Sequence, residues 1–375
     1  MVDPTFTDMR PELGQPVEEL ETPVVVADLD AMERNLARFD ELAEEHDVAV
    51  RSHTKAHKTP AVARRQEAVL DGGVLCQTLS EAEVMARYGV EDVLVVCPVV
   101  SEPKLDRLCW VADHVDRFAT LVDEREHVAR LQAAAERNGT TVGVVLEVDV
   151  GLGRLGVEPG QGAVDVAESV REHSSLRFDG LLGHDGHVPY LASTPEELEE
   201  LCAGVAADLE ATVEALEGAG IGVDRVTSGA TATAPLMAAE DVVTELDPGR
   251  YIFNDAALLE QGAVDRADCG ATVLTTVIGR PAEDRAIVDA GSKTLSYVDG
   301  PDPVPVGRED VSFYRKSSEH GFVDVSEAGD VGVGDRLAFV VPNLWAVANL
   351  HDTLPAVRDG RVEEVWHVAA RGKDT

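Results

Sequence analysis

The chain has 375 residues, 44% of them hydrophobic, which supplies a sizeable core and, at ordinary domain size, two domains. A formal net charge of −38 excludes nucleic acid and anionic membrane as partners through long-range repulsion, and no apolar run reaches the length of a membrane span. The five cysteines, Cys76, Cys97, Cys109, Cys202 and Cys269, form no CxxC pair and read as reduced core residues, while Asp3, Asp8 and Glu12 stand where a signal peptide would be basic and apolar, so a cytoplasmic protein is expected.

Pro23 to Asp28 reads as an extended segment, and Asp30 is placed to cap a helix carrying Met32, Leu36, Phe39 and Leu42 near helical spacing. Val48 to Ser52 is the next strand, and Thr59 with Pro60 marks a helix start. Apolar strand-like runs follow at Val74 to Leu79, Val93 to Cys97, Asp116 to Leu121, Val142 to Val148, Phe178 to His184, Asp224 to Ser228 and Val243 to Leu246. Ser80 with Glu83 reads as a capping box, and Pro195 to Leu216 as a long amphipathic helix.

Counted from Val48 these runs give eight strands, mostly separated by helices, which predicts the α/β class: a (β/α)8 TIM-type barrel with its chemistry on the loops at the carboxyl ends of the strands. After about Asp268 the texture changes to short Val- and Thr-rich runs, at Ala271 to Val277, Ala286 to Asp289, Arg336 to Val341 and Val362 to Val368, so a C-terminal β-rich domain is expected. The predicted boundaries are 20–265 for the barrel and 266–375 for the β domain, with 1–19 packing on the latter and Asp299 to Glu309 as a surface loop. The acidic residues are spread along the whole chain, the pattern of a solvated acidic surface suited to high salt.

Only 6 of the 32 basic residues are lysine, and two of these, Lys55 and Lys58, lie three apart in the segment Arg51-Ser52-His53-Thr54-Lys55-Ala56-His57-Lys58, just past the first barrel strand. Crowded cations depress a lysine pKa toward neutrality, as a Schiff-base amine requires; the residues alone leave a solvated surface cluster open as the alternative. In Asp149-Val150-Gly151-Leu152-Gly153-Arg154-Leu155-Gly156 the glycines allow close backbone approach to a ligand, and Arg154 is either a ligand contact or a surface ion pair. His184 and His187, at the end of the sixth strand, are structural hydrogen-bonders or catalytic groups. Ser228-Gly229-Ala230-Thr231-Ala232-Thr233 and Glu245-Leu246-Asp247-Pro248-Gly249-Arg250-Tyr251 follow the seventh and eighth strands, where barrels recurrently bind phosphate.

Thr22-Pro23, Asp28-Leu29-Asp30, Asn35 and the His53-x-Lys55-x-His57-Lys58 run together resemble the start of the D-threonine aldolase and D-serine dehydratase branch of the alanine racemase-like, fold-type III pyridoxal-phosphate enzymes. The resemblance implies that Lys55 carries pyridoxal 5'-phosphate, that Arg154 approaches its phenolate oxygen, and that His184 packs on its ring where the aldolase branch usually has tyrosine and racemases have histidine. It also assigns the Gly249 and Tyr251 backbone groups to the phosphate, and Ser228, Gly229, Ala230, Thr231 and Arg250 are the candidate contacts beside them.

Toward the C-terminus, Ser318-Glu319-His320-Gly321 and the stretch Trp366 to Gly372 continue the resemblance, and His320 is a candidate base. The family follows its Pro-Asn with His-x-Cys or His-x-Asp, which bind a divalent metal; here Pro342-Asn343 is followed by Leu344, Trp345 and Ala346, which coordinate nothing. No metal is therefore expected at that pair, and His351 with Asp352 is the substitute to test. What the resemblance implies is a homodimeric lyase acting on a small D-β-hydroxy amino acid, by retro-aldol cleavage or by elimination. The alternatives are an amino-acid racemase, with Tyr297, Tyr314 or a histidine as second base, and a non-catalytic cofactor-binding protein.

Overall fold

The computed structural model describes residues 11–298 and 300–375; Asp3, Asp8 and Asp299 lie outside the described residues. The described residues form two compact units, one of residues 36–251 with 372–375, the other of residues 11–35 with 252–298 and 300–371.

In the first unit, short parallel strands form a ring: Ala49–Val50 and Ser52–His53, Val74–Cys76, Asp92–Val95, Arg117–Val122, Val142–Glu147, Leu176–Leu182, Val226–Thr227 and Glu245–Leu246. Ala49–Val50 pairs with Glu245–Leu246 on one side, and Ser52–His53 pairs with Val74–Cys76 on the other. With these two pieces counted as one strand interrupted at Arg51, the ring closes on eight strands, as the strand count predicts. Arg51 sits at the seam, 1% exposed, its guanidinium donating to Glu245 Oε1 (3.0 Å) and Asp92 Oδ1 (2.7 Å). Removing one partner from such a buried ion pair costs about 3–5 kcal/mol.

Leu75, Leu94, Val96, Ala119, Leu121, Val145 and Leu182 fill part of the ring's interior. Strand period puts Val145 and Glu147 on one face, and likewise Leu182 and His184, and Glu245 and Asp247. Two of the buried apolar positions, Val145 and Leu182, are thus followed two residues on by a polar group at the carboxyl end, and the buried Glu245 is followed in the same way by Asp247.

Helix starts differ from expectation in two places. Leu29–His46 is capped by Asp28, whose Oδ1 accepts from Ala31 N–H (2.9 Å), because Asp30 is drawn instead to Arg358. Leu79–Arg87 begins two residues before the expected Ser80 box: Thr78 Oγ1 accepts from Glu81 N–H (3.2 Å), and the Ser80 hydroxyl meets that of Thr375 (2.8 Å). The long helix Pro195–Gly218 opens on Thr194, whose Oγ1 accepts from Glu197 N–H, and it buries Cys202, Val205, Ala206, Leu209, Thr212 and Leu216.

The second unit is built on a sheet of nine strands. Val24–Asp28 lies inside it, antiparallel to Ala271–Ala282 and parallel to Thr353–Arg358. The other pairings are antiparallel: Arg285–Val288, Gly321–Asp324 and Ser312–Lys316 on one side, Arg336–Val340 with Val304–Pro305, and Thr353–Arg358 with Arg361–His367. The segment expected as a loop from Asp299 to Glu309 therefore contributes a short strand. The compact units also differ from a single cut after residue 265, since residues 11–35 and 252–265 fall in the unit of the β sheet. The reason is pairing: Val24–Asp28, an extended segment inside the expected barrel boundaries, makes its hydrogen bonds to strands far along the chain.

Four of the cysteines are buried; Cys97 is exposed, against the expectation that all sit in the core, and each is a free thiol. Among the described residues no helix is long and apolar enough to cross a membrane.

Candidate active site

Lys55 stands on a single 3-10 turn, Thr54–Ala56, that follows strand Ser52–His53. The turn is closed by His57 N–H and Lys58 N–H donating to Thr54 O at 3.1 and 2.7 Å. It splits the two lysines. Lys58 is buried and tied to Glu81 Oε1 (2.5 Å) and Asp374 Oδ1 (3.2 Å), whereas Lys55 lines a cavity with His53, Gln77, Glu147, Arg154, His184 and Asp247 over Leu75, Val96 and Leu182. Burial pushes the Lys55 ammonium down to about 8, against the pull of Asp247 and with the push of Arg154. His53 is driven well below its ordinary value, by burial and then by Lys55 and His184, and stays neutral. His57 is a core group: its Nδ1 accepts from Thr59 N–H (3.0 Å), its Nε2 meets Gln66 Oε1 (3.1 Å), and burial lowers it to about 4.

Arg154 is carried on a loop that returns to its own strand, with Asp149 N–H donating to Val157 O and Val157 N–H to Glu147 O, both 2.9 Å. Inside the loop Asp149 Oδ1 accepts from Gly151 N–H (3.1 Å) and Gly153 N–H (2.9 Å). Gly156 takes φ +108°, and a Cβ there would lie 2.5 Å from Asp149 N, so only glycine fits. Arg154 Nη2 donates to Glu147 Oε1 (3.4 Å), and burial raises the Glu147 carboxyl although Arg154 opposes it. Sequence reading quoted Glu147 only as part of a strand; an acid closing an otherwise apolar run, on the inward period, was the available signal.

His184 Nδ1 lies 3.0 Å from Asp247 Oδ2. Asp185, fully buried, accepts from Ala230 N–H (2.8 Å) and from the Thr233 hydroxyl; burial, then Asp247, raise it to about 6. His187 is half-buried beside the arginine loop, where a Cβ on Gly151 would come within 3.2 Å of its Nε2.

Of the expected phosphate contacts, Thr231, Gly249 and Tyr251 converge: Thr231 Oγ1 accepts from the N–H groups of Gly249 and Tyr251, each at the long distance of 3.3 Å. Gly249 packs against the lysine strand so closely that a Cβ would lie 3.0 Å from His53 Cβ. Donors aimed at one point, on a backbone pressed against the Lys55 strand, form a cradle suited to a phosphate. Ser228 and Ala230 are already engaged, Ser228 Oγ with Gly183 O (2.7 Å) and Ala230 N–H with Asp185, while Gly229 at φ +125° makes the turn and Arg250 is half-buried. The Tyr251 ring is locked in the core through Ser52 and Gln66, so only its backbone faces the cradle.

The remaining candidates lie in the second unit. His320 is exposed and its carbonyl accepts from Ser317 N–H (2.8 Å). Tyr297 and Tyr314 are exposed at 71% and 46%. Leu344 and Ala346 are buried hydrocarbon on the short helix Leu344–Ala348, and their side chains do not fit a metal. His351 and Asp352 do not fit one as a pair either: His351 Nε2 meets Thr294 O (3.0 Å), and Asp352 Oδ1 accepts from Arg371 (2.6 Å).

Comparison with known proteins agrees with this geometry. Residues 27–256 match the family described as "Alanine racemase, N-terminal domain", and residues 270–357 match "Putative serine dehydratase domain". A 3-hydroxy-D-aspartate aldolase of Paracoccus denitrificans (strain Pd 1222) is 36% identical over 96% of this chain and 94% of its own length. A D-threonine aldolase of Arthrobacter sp. is also 36% identical, over 96% of this chain and 95% of its own. The crystal structure of D-threonine aldolase from Filomicrobium marinum superposes with a TM-score of 0.92 at 34% identity, covering 97% of this chain and 99% of that one.

Proposed function

The chain belongs to the alanine racemase-like, fold-type III family of pyridoxal-phosphate enzymes, in its D-threonine aldolase and D-serine dehydratase branch, and from that membership we propose a lyase of D-β-hydroxy amino acids with Lys55 as the cofactor-bearing residue. The observation that carries the reading is a lysine lowered to about 8 inside the barrel mouth, with Arg154 and His184 on the same cavity wall.

Lys55 would hold the cofactor's aldehyde carbon, Arg154 its phenolate oxygen, and Thr231 with the Gly249 and Tyr251 amides its phosphate. When bound, pyridoxal phosphate supplies an electron-withdrawing ring conjugated to the substrate's Cα. The protein supplies the rest. Lys55 Nζ takes or returns a proton beside Cα, and its lowered pKa leaves roughly a tenth of it as free amine at pH 7, against about one part in three thousand for an ordinary lysine. Glu147 holds Arg154 over the cavity, and Asp247 fixes the His184 ring. No step is routed through the metal pair of the family, because Leu344 and Ala346 offer no ligand atom there.

That same pair favours a second reading, amino-acid racemisation, which needs no activation of a β-oxygen. Retro-aldol cleavage or elimination as the chemistry, and a homodimer, complete the proposal by resemblance to the branch; a cytoplasmic location rests on the acidic Asp3, Asp8 and Glu12. A proton NMR time course of the cofactor-loaded protein with D-threonine in heavy water at high salt tests it. Glycine and acetaldehyde mean retro-aldol cleavage, and 2-oxobutyrate means dehydration. Loss of the α-proton signal alone supports the racemase and overturns the lyase for this substrate, and an unchanged spectrum across an amino-acid panel leaves a cofactor-binding protein.

A further inference from the structure

The reaction proposed above turns on how well the cofactor ring accepts electrons, which depends on the group facing its pyridine nitrogen. A carboxylate there keeps the nitrogen protonated, the state in which the ring best takes up negative charge; a neutral or cationic neighbour leaves it unprotonated. Resting on the reading of Lys55 as cofactor-bearing lysine, we infer that Asp247 is this group.

The cavity wall contains two carboxylates, Glu147 and Asp247. Each has one buried oxygen without a hydrogen-bond partner, Glu147 Oε2 and Asp247 Oδ1, but Glu147 is matched in charge by Arg154, which donates to its Oε1. Asp247 has no arginine or lysine among its hydrogen-bond partners. It is 3% exposed; its Oδ2 is satisfied by His184 Nδ1 at 3.0 Å, and its Oδ1 is buried without a hydrogen-bond partner. A buried carboxylate oxygen left without a donor is costly, and a charged N–H is the group that relieves it best.

Position selects the same residue. In the cofactor, the nitrogen lies across the ring from the aldehyde carbon and two ring atoms from the carbon bearing the phosphate arm. With the aldehyde carbon at Lys55 and the phosphate on the Thr231, Gly249 and Tyr251 cradle, the partner must stand at the foot of that cradle. Asp247 precedes Gly249 by two residues on the same strand end. Strand period aims it along the face of Glu245, whose side chain reaches the buried Arg51 inside the ring. His184 then acts as a positioning residue: its Nδ1–H fixes Oδ2 and leaves Oδ1 directed at the nitrogen.

The test uses the holoenzyme loaded with pyridine-15N-labelled pyridoxal phosphate. In the wild type at pH 7 the nitrogen resonance takes the shielded position of a protonated pyridine; in Asp247→Asn it moves to the deshielded, unprotonated position, and cofactor affinity falls by roughly ten- to a hundredfold, the loss expected for one charge-assisted hydrogen bond. Glu147→Gln keeps the wild-type nitrogen position, which separates the two carboxylates. An unprotonated nitrogen in the wild type, or an unchanged position in Asp247→Asn, overturns the inference while the lysine reading stands. The wild-type resonance decides alone if Asp247→Asn does not fold. Borohydride reduction followed by peptide mass spectrometry checks the parent reading separately: a cofactor not attached to Lys55 removes both.

Discussion

Arg154 and Glu147 are joined across a loop that leaves and re-enters one strand, so the arginine is held by the last residue of the element that launches it. The pair is asymmetric, with Glu147 buried and Arg154 half open to solvent, and the carboxylate therefore sets the geometry. Replacing Glu147 by Gln should free the arginine without unfolding the loop, which Asp149 closes independently. A roughly tenfold loss in kcat/KM with D-threonine is expected, about the contribution of one hydrogen bond to a charged group, with Tm nearly unchanged. A loss confined to Tm would assign Glu147 to stability instead.

Cofactor uptake should follow the titration of Lys55. Its folded pKa, lowered by burial, predicts that the rate of Schiff-base formation by apoprotein rises through about pH 8 instead of about 10.5. Arg154 pushes that value down, so Arg154→Ala should move the midpoint to higher pH, readable as the growth of the cofactor's absorbance band in stopped flow. The sign for stability follows from linkage. Between the folded and unfolded values the unfolded chain binds more protons, so this lysine costs most below about pH 8 and the cost fades as pH rises through that window.

Lys55→Ala should abolish the borohydride-reducible adduct and lower turnover by at least about a thousandfold, since the nucleophile itself is removed. Lys58→Ala should retain the adduct, because Lys58 is occupied by Glu81 and Asp374. An adduct mapped to Lys58 in the wild type would reverse the assignment.

Asp185 predicts an opposite stability profile. Burial raises it to about 6, so between the ordinary carboxylate value and 6 the folded state binds the extra proton, and stability from this group declines as pH rises through that range. The Tm of Asp185→Asn relative to wild type should therefore improve from pH 4 to pH 7, checked by thermal melts. A flat difference would mean that Asp185 ionises without penalty.

Chelation should leave the reaction intact. With Leu344 and Ala346 in the ligand positions, overnight dialysis against EDTA is expected to change D-threonine turnover by less than about twofold. Loss of activity, restored by added Mn2+, would locate a metal on residues outside that pair.

Much of the site was legible because barrels place their chemistry at strand ends, and Lys55, Arg154 and His184 each follow an apolar run by a residue or a short glycine-rich loop. Glu147 and Asp247 were harder. Each is an ordinary acid in a chain with 70 acidic residues, and only the convergence of strands distant in sequence reveals which carboxylates lie buried against the cavity. Periodicity has a similar limit for Val24–Asp28: it identifies an extended segment but not the sheet that receives it, because the partners begin at Ala271 and Thr353. The caps at Asp28 and Thr78 were misread by two residues because Asp30 and Ser80 had better partners far along the chain.

That sheet has a consequence for synthesis. Val24–Asp28 leaves the ribosome among the first described elements, yet its antiparallel partner Ala271–Ala282 follows the whole ring of parallel strands. At about 5–20 residues per second the interval is on the order of tens of seconds. Throughout it, a run of three valines presents unpaired backbone donors and acceptors. A folding helper that shields this one segment until Ala271–Ala282 emerges would cover that whole interval.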